Sequence, residues 1–251
     1  MSENRIRLEP NHRRLRALVD GVVIADTTAS VYLFETGHLP VYYLPKSHIR
    51  FDLLEHTDHS THCPYKGDAE YWSIVVGDRR IDDAVWSYPS PLPDAPDLSA
   101  YAAFYWNKID NWFEEDEEVF VHARDPYHRV DALRSSRHVE VRVNGETVAD
   151  TTRPTLLFET GLPTRYYIPK LDVRMDLLRS SPLTTACPYK GTANYYSVAA
   201  PGADVIENVV WFYRTPIPQI PTIENMVCFF NEKVDIVVDG DLQERPRTSW
   251  S

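Results

Sequence analysis

The segment from Ala25-Asp-Thr-Thr to Tyr71-Trp-Ser73 recurs without a gap 124 positions later, from Ala149-Asp-Thr-Thr to Tyr195-Tyr-Ser197. A repeat of this length constrains the fold more than any composition does, because whatever architecture one copy adopts the other must adopt too. The shared words are Phe34-Glu-Thr-Gly37 and Phe158-Glu-Thr-Gly161, Tyr42-Tyr43 and Tyr166-Tyr167, and Cys63-Pro-Tyr-Lys-Gly67 and Cys187-Pro-Tyr-Lys-Gly191. A one-residue slip near Asp78 moves the spacing to 125, at which Trp86-x-Tyr88-x-x-Pro91 meets Trp211-x-Tyr213-x-x-Pro216. Arg14 to Val19 and His138 to Val143 differ at most positions. The copies have therefore diverged far enough for a retained residue to carry information.

Two domains of ordinary size follow, each long enough to bury its own core. The expected layout is a first repeat domain at 1–113, an acidic connector at 114–137 holding the run Glu114-Glu-Asp-Glu-Glu118, and a second repeat domain at 138–251, with 14–113 superposing on 138–244. No stretch approaches the ~18 to 20 apolar residues of a membrane span, and Met1-Ser-Glu-Asn-Arg-Ile-Arg lacks the apolar run of a signal peptide. Of the three cysteines, Cys63 and Cys187 are repeat equivalents and Cys228 stands where the first copy has Ala103. Cysteines so placed are not a disulfide framework. The expected location is the cytoplasm. A formal net charge of −11 argues against nucleic acid as a partner, since phosphate binding is driven by clustered Lys and Arg.

Local signals are those of strands. Asp20-Gly21, Asn144-Gly145 and Asp239-Gly240 each lie between β-favouring runs and supply the positive φ angles of type I′ hairpin turns. Short runs rich in Val, Ile, Tyr, Phe and Trp are cut by many of the 19 prolines, with almost no 3.6-residue periodicity. Within these runs one face is retained between copies. Ala69, Tyr71 and Ser73 recur while Glu70, Trp72 and Ile74 change; Trp86 and Tyr88 recur while Ser87 changes; Arg50, Asp52 and Leu54 recur while Ile49 and Phe51 change. Side chains alternate across a strand, so each retained set shares a face. If the faces converge, each repeat holds a cleft lined by Arg50, Asp52, Tyr71, Ser73, Trp86 and Tyr88, or by Arg174, Asp176, Tyr195, Ser197, Trp211 and Tyr213.

The paired words Phe-Glu-Thr-Gly, Tyr-Tyr-x-Pro, Arg-x-Asp-Leu-Leu, Cys-Pro-Tyr-Lys-Gly-x-Ala and Trp-x-Tyr-x-x-Pro make the chain resemble, over nearly its whole length, a tandem member of the bacterial family called domain of unknown function 427. The resemblance implies a β-tent-like fold, in which two antiparallel sheets meet at an angle and the cleft between them can hold a ligand. Most proteins of that architecture carry two Cys-x-x-Cys knuckles on a structural zinc, and this chain has no Cys-x-x-Cys. The expected fold is thus all-β, with two repeated antiparallel domains, no zinc knuckles, no metal and no cofactor; packed aromatics such as Phe34, Tyr42 and Tyr43 would replace the metal. A nucleotidyltransferase label sometimes attached to the family finds no residues to support it. Neither a Gly-Ser-x-Asp-x-Asp magnesium motif nor a phosphate-cradling Gly-x-x-x-x-Gly-Lys loop occurs.

Cys63-Pro-Tyr-Lys-Gly67 is the sharpest chemical motif. Its turn places a thiol near an ammonium group, which can lower the thiol pKa and make a nucleophile; the structural alternative is a small buried residue beside an ion-paired lysine. No histidine is retained as a base, because His62 before Cys63 becomes Ala186 before Cys187. Lys66 and Lys190 read better as ligand anchors, acting with Arg50 and Arg174 against the retained carboxylates Glu35, Asp52, Glu159 and Asp176. The same charges could instead neutralise one another as an internal network. His56, His59 and His62 have metal-like spacing, but repeat 2 holds Ser180, Leu183 and Ala186 there, so a solvated loop is expected. Glu35 with Asp52 as an acid/base pair is set against a structural ion pair. Two functional readings result: a protein binding a small polar or zwitterionic molecule in aromatic, charge-lined clefts, with any reaction unassigned, or an interaction protein whose clefts are filled and whose partner surface is Glu114 to Glu118.

Overall fold

The structure is a computed structural model describing residues 5–202 and 204–251; Met1 to Asn4, most of the stretch read above as lacking a signal peptide, lie outside the described residues. The chain divides into two compact units, Met1–Asp125 and Pro126–Ser251. The first contains β1 (Ile6–Pro10), β2 (Leu15–Val19), β3 (Val22–Thr27), β4 (Val31–Glu35), β5 (Val41–Pro45), β6 (Leu54–Cys63), β7 (Gly67–Val76), β8 (Arg79–Ser87), β9 (Tyr101–Phe104), β10 (Asn111–Glu114) and β11 (Glu117–Val119). A seven-stranded sheet runs in the order β1-β4-β5-β9-β8-β7-β6, and a four-stranded sheet in the order β11-β10-β2-β3. Among the described residues there is no α-helix, only short 3₁₀ turns, and no helix long and apolar enough to cross a membrane.

The second unit contains β12 (Val130–Arg134), β13 (Val139–Val143), β14 (Glu146–Thr151), β15 (Thr155–Glu159), β16 (Arg165–Ile168), β17 (Leu178–Cys187), β18 (Gly191–Val198), β19 (Ile206–Pro216), β20 (Val227–Phe229), β21 (Asp235–Val238) and β22 (Asp241–Leu242). Its sheets, β12-β15-β16-β20-β19-β18-β17 and β14-β13-β21-β22, repeat the connectivity of the first unit strand for strand. All the pairings between these strands are antiparallel, as the repeat and its hairpin signals require. The three expected turns have the left-handed pairs Asp20 (φ 48°) and Gly21 (φ 74°), Asn144 (φ 50°) and Gly145 (φ 83°), and Asp239 (φ 54°) and Gly240 (φ 92°). These angles match the right-handed twist of the flanking strands.

Each unit has two apolar layers. In the first, Leu15, Ala17 and Ile24 of the small sheet pack against Leu44, Ile74 and Val85 of the large one. Burying each of the larger side chains contributes roughly 1.5–3 kcal/mol. The opposite face of the large sheet carries a second cluster, including Leu33, Tyr43, Ala69, Tyr71, Tyr88 and Ala103. Strand alternation sorts β7 between them, Trp72 and Ile74 toward the inter-sheet core and Ala69 and Tyr71 toward the other face. The variable face of the sequence is the inter-sheet core; the retained face is the outer, aromatic one.

The expected acidic connector is not a connector. Glu114 closes β10 and is 3% exposed. It accepts hydrogen bonds from the hydroxyls of Tyr42 (2.6 Å) and Tyr32 (3.3 Å) and an ion pair from Arg13 (2.5 Å). Glu117 and Glu118 belong to β11, and Val130–Arg134, placed in the connector by sequence, is β12, which completes the second unit's large sheet against β15. Glu114 reads as solvated because its tyrosine and arginine partners lie 72 to 101 positions away, whereas Glu115, Asp116 and Glu117 are exposed as expected. His56, His59 and His62 lie on β6, an edge strand on which Glu55 and Asp58 are also exposed. Polar groups there discourage edge-to-edge pairing. Among the described residues no group of three or more His, Cys, Asp or Glu is placed to hold a metal.

Candidate functional site

On the outer face of the first unit's large sheet is a cleft of about 660 Å³. Its floor is Tyr43 from β5, Tyr71 from β7, Trp86 from β8 and Tyr88 just beyond it; Tyr105, just beyond β9, forms one wall, and Glu35 and Lys66 form the charged end. Five of the expected first-repeat ligand residues therefore meet: Glu35, Lys66, Tyr71, Trp86 and Tyr88. The aromatic groups are locked to one another. Trp86 donates its indole N–H to the Tyr43 hydroxyl (3.2 Å) and lies 4.7 Å from the Tyr105 ring, while the Tyr71 hydroxyl reaches Thr61 (2.8 Å) and Tyr105 (3.5 Å).

Arg50 and Asp52 are not in the cleft. They are exposed and paired with each other at 2.8 and 2.6 Å, as Arg174 and Asp176 are at 2.9 and 2.7 Å. The alternation rule fails there because Phe51–Leu53 and Met175–Leu177 are 3₁₀ turns, so side chains two apart do not share a sheet face. Ser73 is also elsewhere, buried and accepting a hydrogen bond from the Asp83 amide (3.2 Å); Ser197 does the same for Asn208 (3.1 Å). Glu35 with Asp52 is accordingly no acid/base pair.

The charged end is a buried ion pair. Lys66, held by the Cys63–Gly67 turn, donates to Glu35 at 2.6 Å, with their side chains 10% and 12% exposed; Lys190 and Glu159 repeat it at 2.5 Å. Gly67 makes the turn possible, since its φ is +99° and a Cβ would stand 3.3 Å from the Ser90 carbonyl oxygen. Charges this far out of water are held because they are paired. Ionisation of Tyr43, Tyr88 and Tyr105 is suppressed. Burial pushes the Tyr43 and Tyr88 hydroxyls well up, Tyr88 being raised further by the adjoining Cys63 thiol, and burial followed by the Tyr71 contact pushes Tyr105 up to about 12. His62 is engaged with Asp68 at 2.6 Å, so it does not complete a thiol–imidazole pair with Cys63.

The second unit has the same floor but not the same space. Trp211 donates to Tyr167 (3.0 Å), and Tyr195 and Tyr213 occupy the positions of Tyr71 and Tyr88. Arg165 stands opposite Leu157 where the first unit has Val41 opposite Leu33. Its guanidinium is 5.4 Å from the Trp211 ring, 5.9 Å from Phe230 and 5.5 Å from Trp250, and it is clamped by Glu232 at 2.7 and 2.8 Å. Arg165 is 5% exposed and Trp211 7%. Burial opposes ionisation of Glu232, but hydrogen bonds from Arg165 and Thr248 outweigh it and bring the carboxyl down to about 2. An accessible cleft lined by Trp211, Arg174 and Lys190 is therefore not what this unit contains. Sequence reasoning passed over Tyr105, Val41, Arg165 and Glu232 because it kept only residues common to both copies; the change from Val41 to Arg165 in a strand otherwise so alike was the available signal.

A family model described as a domain of unknown function (DUF427) matches residues 7–115 and again residues 131–240. The chain belongs to that family. It carries the DUF427 domain twice, and the second match begins inside β12, in agreement with the strand order and not with a connector reaching residue 137. No curated protein matches the chain.

Proposed function

We propose that this DUF427 protein binds a small polar or zwitterionic molecule in the cleft of its first unit. The observation that carries the reading is the contrast between the units: Trp86 lines a cleft of about 660 Å³ in one, whereas its counterpart Trp211 is buried beside the Arg165–Glu232 pair in the other. An aromatic floor, one ion pair and several fixed hydroxyls is the composition of a small-molecule site. The second unit fits the rival, filled-core reading, so binding is assigned to the first alone. Glu114 is buried and partnered, which takes it out of any partner surface and leaves Glu115, Asp116 and Glu117 as the exposed part of the acidic run. With three free cysteines, the protein is proposed to be cytoplasmic.

The test is a thermal-shift screen of the full chain against small polar and zwitterionic compounds, followed by Tyr105→Ala and Phe230→Ala. Tyr105 is 38% exposed, so its truncation leaves the fold intact. The expected result is a stabilising compound whose effect disappears in Tyr105→Ala and persists in Phe230→Ala. No stabilising compound, or one indifferent to Tyr105→Ala, overturns the proposal.

A further inference from the structure

The second unit contains its own occupant. Arg165 places a planar cation among Trp211, Phe230 and Trp250 at 5.4 to 5.9 Å, within the range at which an aromatic ring attracts a cation. The equivalent cleft of the first unit keeps the floor, with Trp86 for Trp211 and Tyr105 for Phe230, and offers Val41 where the arginine would enter. The carboxylate is missing as well, since Asn107 lies two residues beyond Tyr105 as Glu232 lies two beyond Phe230. One repeat has internalised a cation and its counter-charge; the other has the receptor half of the same arrangement, with space in front of it.

From this we infer that the first unit's cleft takes a small organic cation, a guanidinium or alkylated ammonium group, seated against Trp86 and Tyr105 in the position that Arg165 fills in the second unit. The inference rests on the reading of this cleft as a ligand site and names the class of ligand. Three features support it. The rings present polarizable faces, and Trp is the strongest cation acceptor among the aromatic side chains. Tyr71 and Tyr105 stack at 6.5 Å beside Trp86, which lies 4.7 Å from Tyr105, so the wall is fixed before a ligand arrives. The resident cations are engaged, Lys66 with Glu35 at 2.6 Å and Lys108, 5.1 Å from the Tyr105 ring, with the carbonyl oxygens of Asp82 at 2.6 Å and Asp83 at 3.2 Å. Because no counterpart of Glu232 is present, a ligand bringing its own negative group, a zwitterion, should bind better than the bare cation.

The experiment titrates the full chain with methylguanidinium and tetramethylammonium, using methylurea and neopentyl alcohol as uncharged near-isosteres and acetate as the anion, and follows the indole N–H resonance of Trp86 by NMR. Val41→Arg, alone and with Asn107→Glu, should fill the first cleft as the second is filled. Arg165→Val with Glu232→Asn should empty the second. The expected result is saturable binding of the cations at one site per chain, weakened about tenfold or more by Val41→Arg, with a second site in the Arg165→Val/Glu232→Asn protein. If Val41→Arg proves unstable, Tyr105→Ala serves in its place, with Phe230→Ala as its control. Methylurea binding as tightly as methylguanidinium, with both lost in Val41→Arg, overturns the cation inference while leaving the cleft a ligand site. Cation binding indifferent to Val41→Arg and Tyr105→Ala, or no binding of either cation, also overturns it.

Discussion

The Tyr42 hydroxyl donates to the Glu114 carboxylate at 2.6 Å, joining the second residue of β5 in the large sheet to the last residue of β10 in the small sheet inside the first unit's core. The carboxylate is 3% exposed and depends on its donors. Tyr42→Phe should cost about 1–3 kcal/mol, the penalty for a buried acceptor losing a partner, and Tyr32→Phe, whose bond is 3.3 Å, should cost less. Urea unfolding followed by tryptophan fluorescence checks both; negligible losses in both would show that Arg13 alone holds the carboxylate.

The Lys66–Glu35 pair should behave as one unit. Lys66→Met or Glu35→Gln leaves a charge largely buried without its partner, and each should destabilise by about 3–5 kcal/mol, whereas the double variant should be milder than either single change suggests by addition. A double-mutant cycle on thermal unfolding measures the coupling. Additive losses would mean that water already screens the pair.

Acid should loosen the second unit through Glu232. Its folded pKa of about 2 lies below the ordinary 4.5, so its contribution is complete above about pH 4.5 and is lost as the pH falls toward 2. The amount at stake is on the order of 2 kcal/mol. Glu232→Gln should lower stability at neutral pH, because Arg165 then lacks a counter-charge, and should flatten the acid limb of the stability profile. A variant with an unchanged acid limb would place the transition on other carboxylates.

Gly67→Ala and Gly191→Ala should each cost about 1–3 kcal/mol, since both glycines hold left-handed backbone (φ +99° and +100°) with carbonyl oxygens 3.3 and 3.4 Å from the added Cβ. Differential scanning calorimetry of the two variants, each against the parent, reads the cost in its own unit. Gly77→Ala is the control, with open space at its Cβ and φ +56°; a loss there as large as at Gly67 would assign the effect to backbone conformation rather than crowding.

Much of the fold was legible because its determinants are local. The left-handed hairpin pairs sit in adjacent residues, and the retained face of β7 and β8 identified Tyr71, Trp86 and the following Tyr88 because Tyr71 and Trp86 pair directly in a stretch of period two, on the far side of the register shift at Ser73. Arg50 and Asp52 were misplaced where a 3₁₀ turn breaks that period. Glu114 was misread because its partners come from distant strands, and Tyr105 and Arg165 were overlooked because they stand at positions where the two copies disagree.

The pairing of β12 with β15 decides where the two halves can be separated. β12 lies at the margin of its sheet, shielding Thr155–Glu159, whose middle is Leu156-Leu-Phe158. A gene fragment starting at residue 138, where the hairpin pattern resumes, would leave those amides and carbonyls bare beside an exposed phenylalanine, a template for further strands to add. Such a fragment should collect in inclusion bodies, whereas one starting at Pro126 keeps its shield; the boundary of a foldable half is set by the strand that guards its margin.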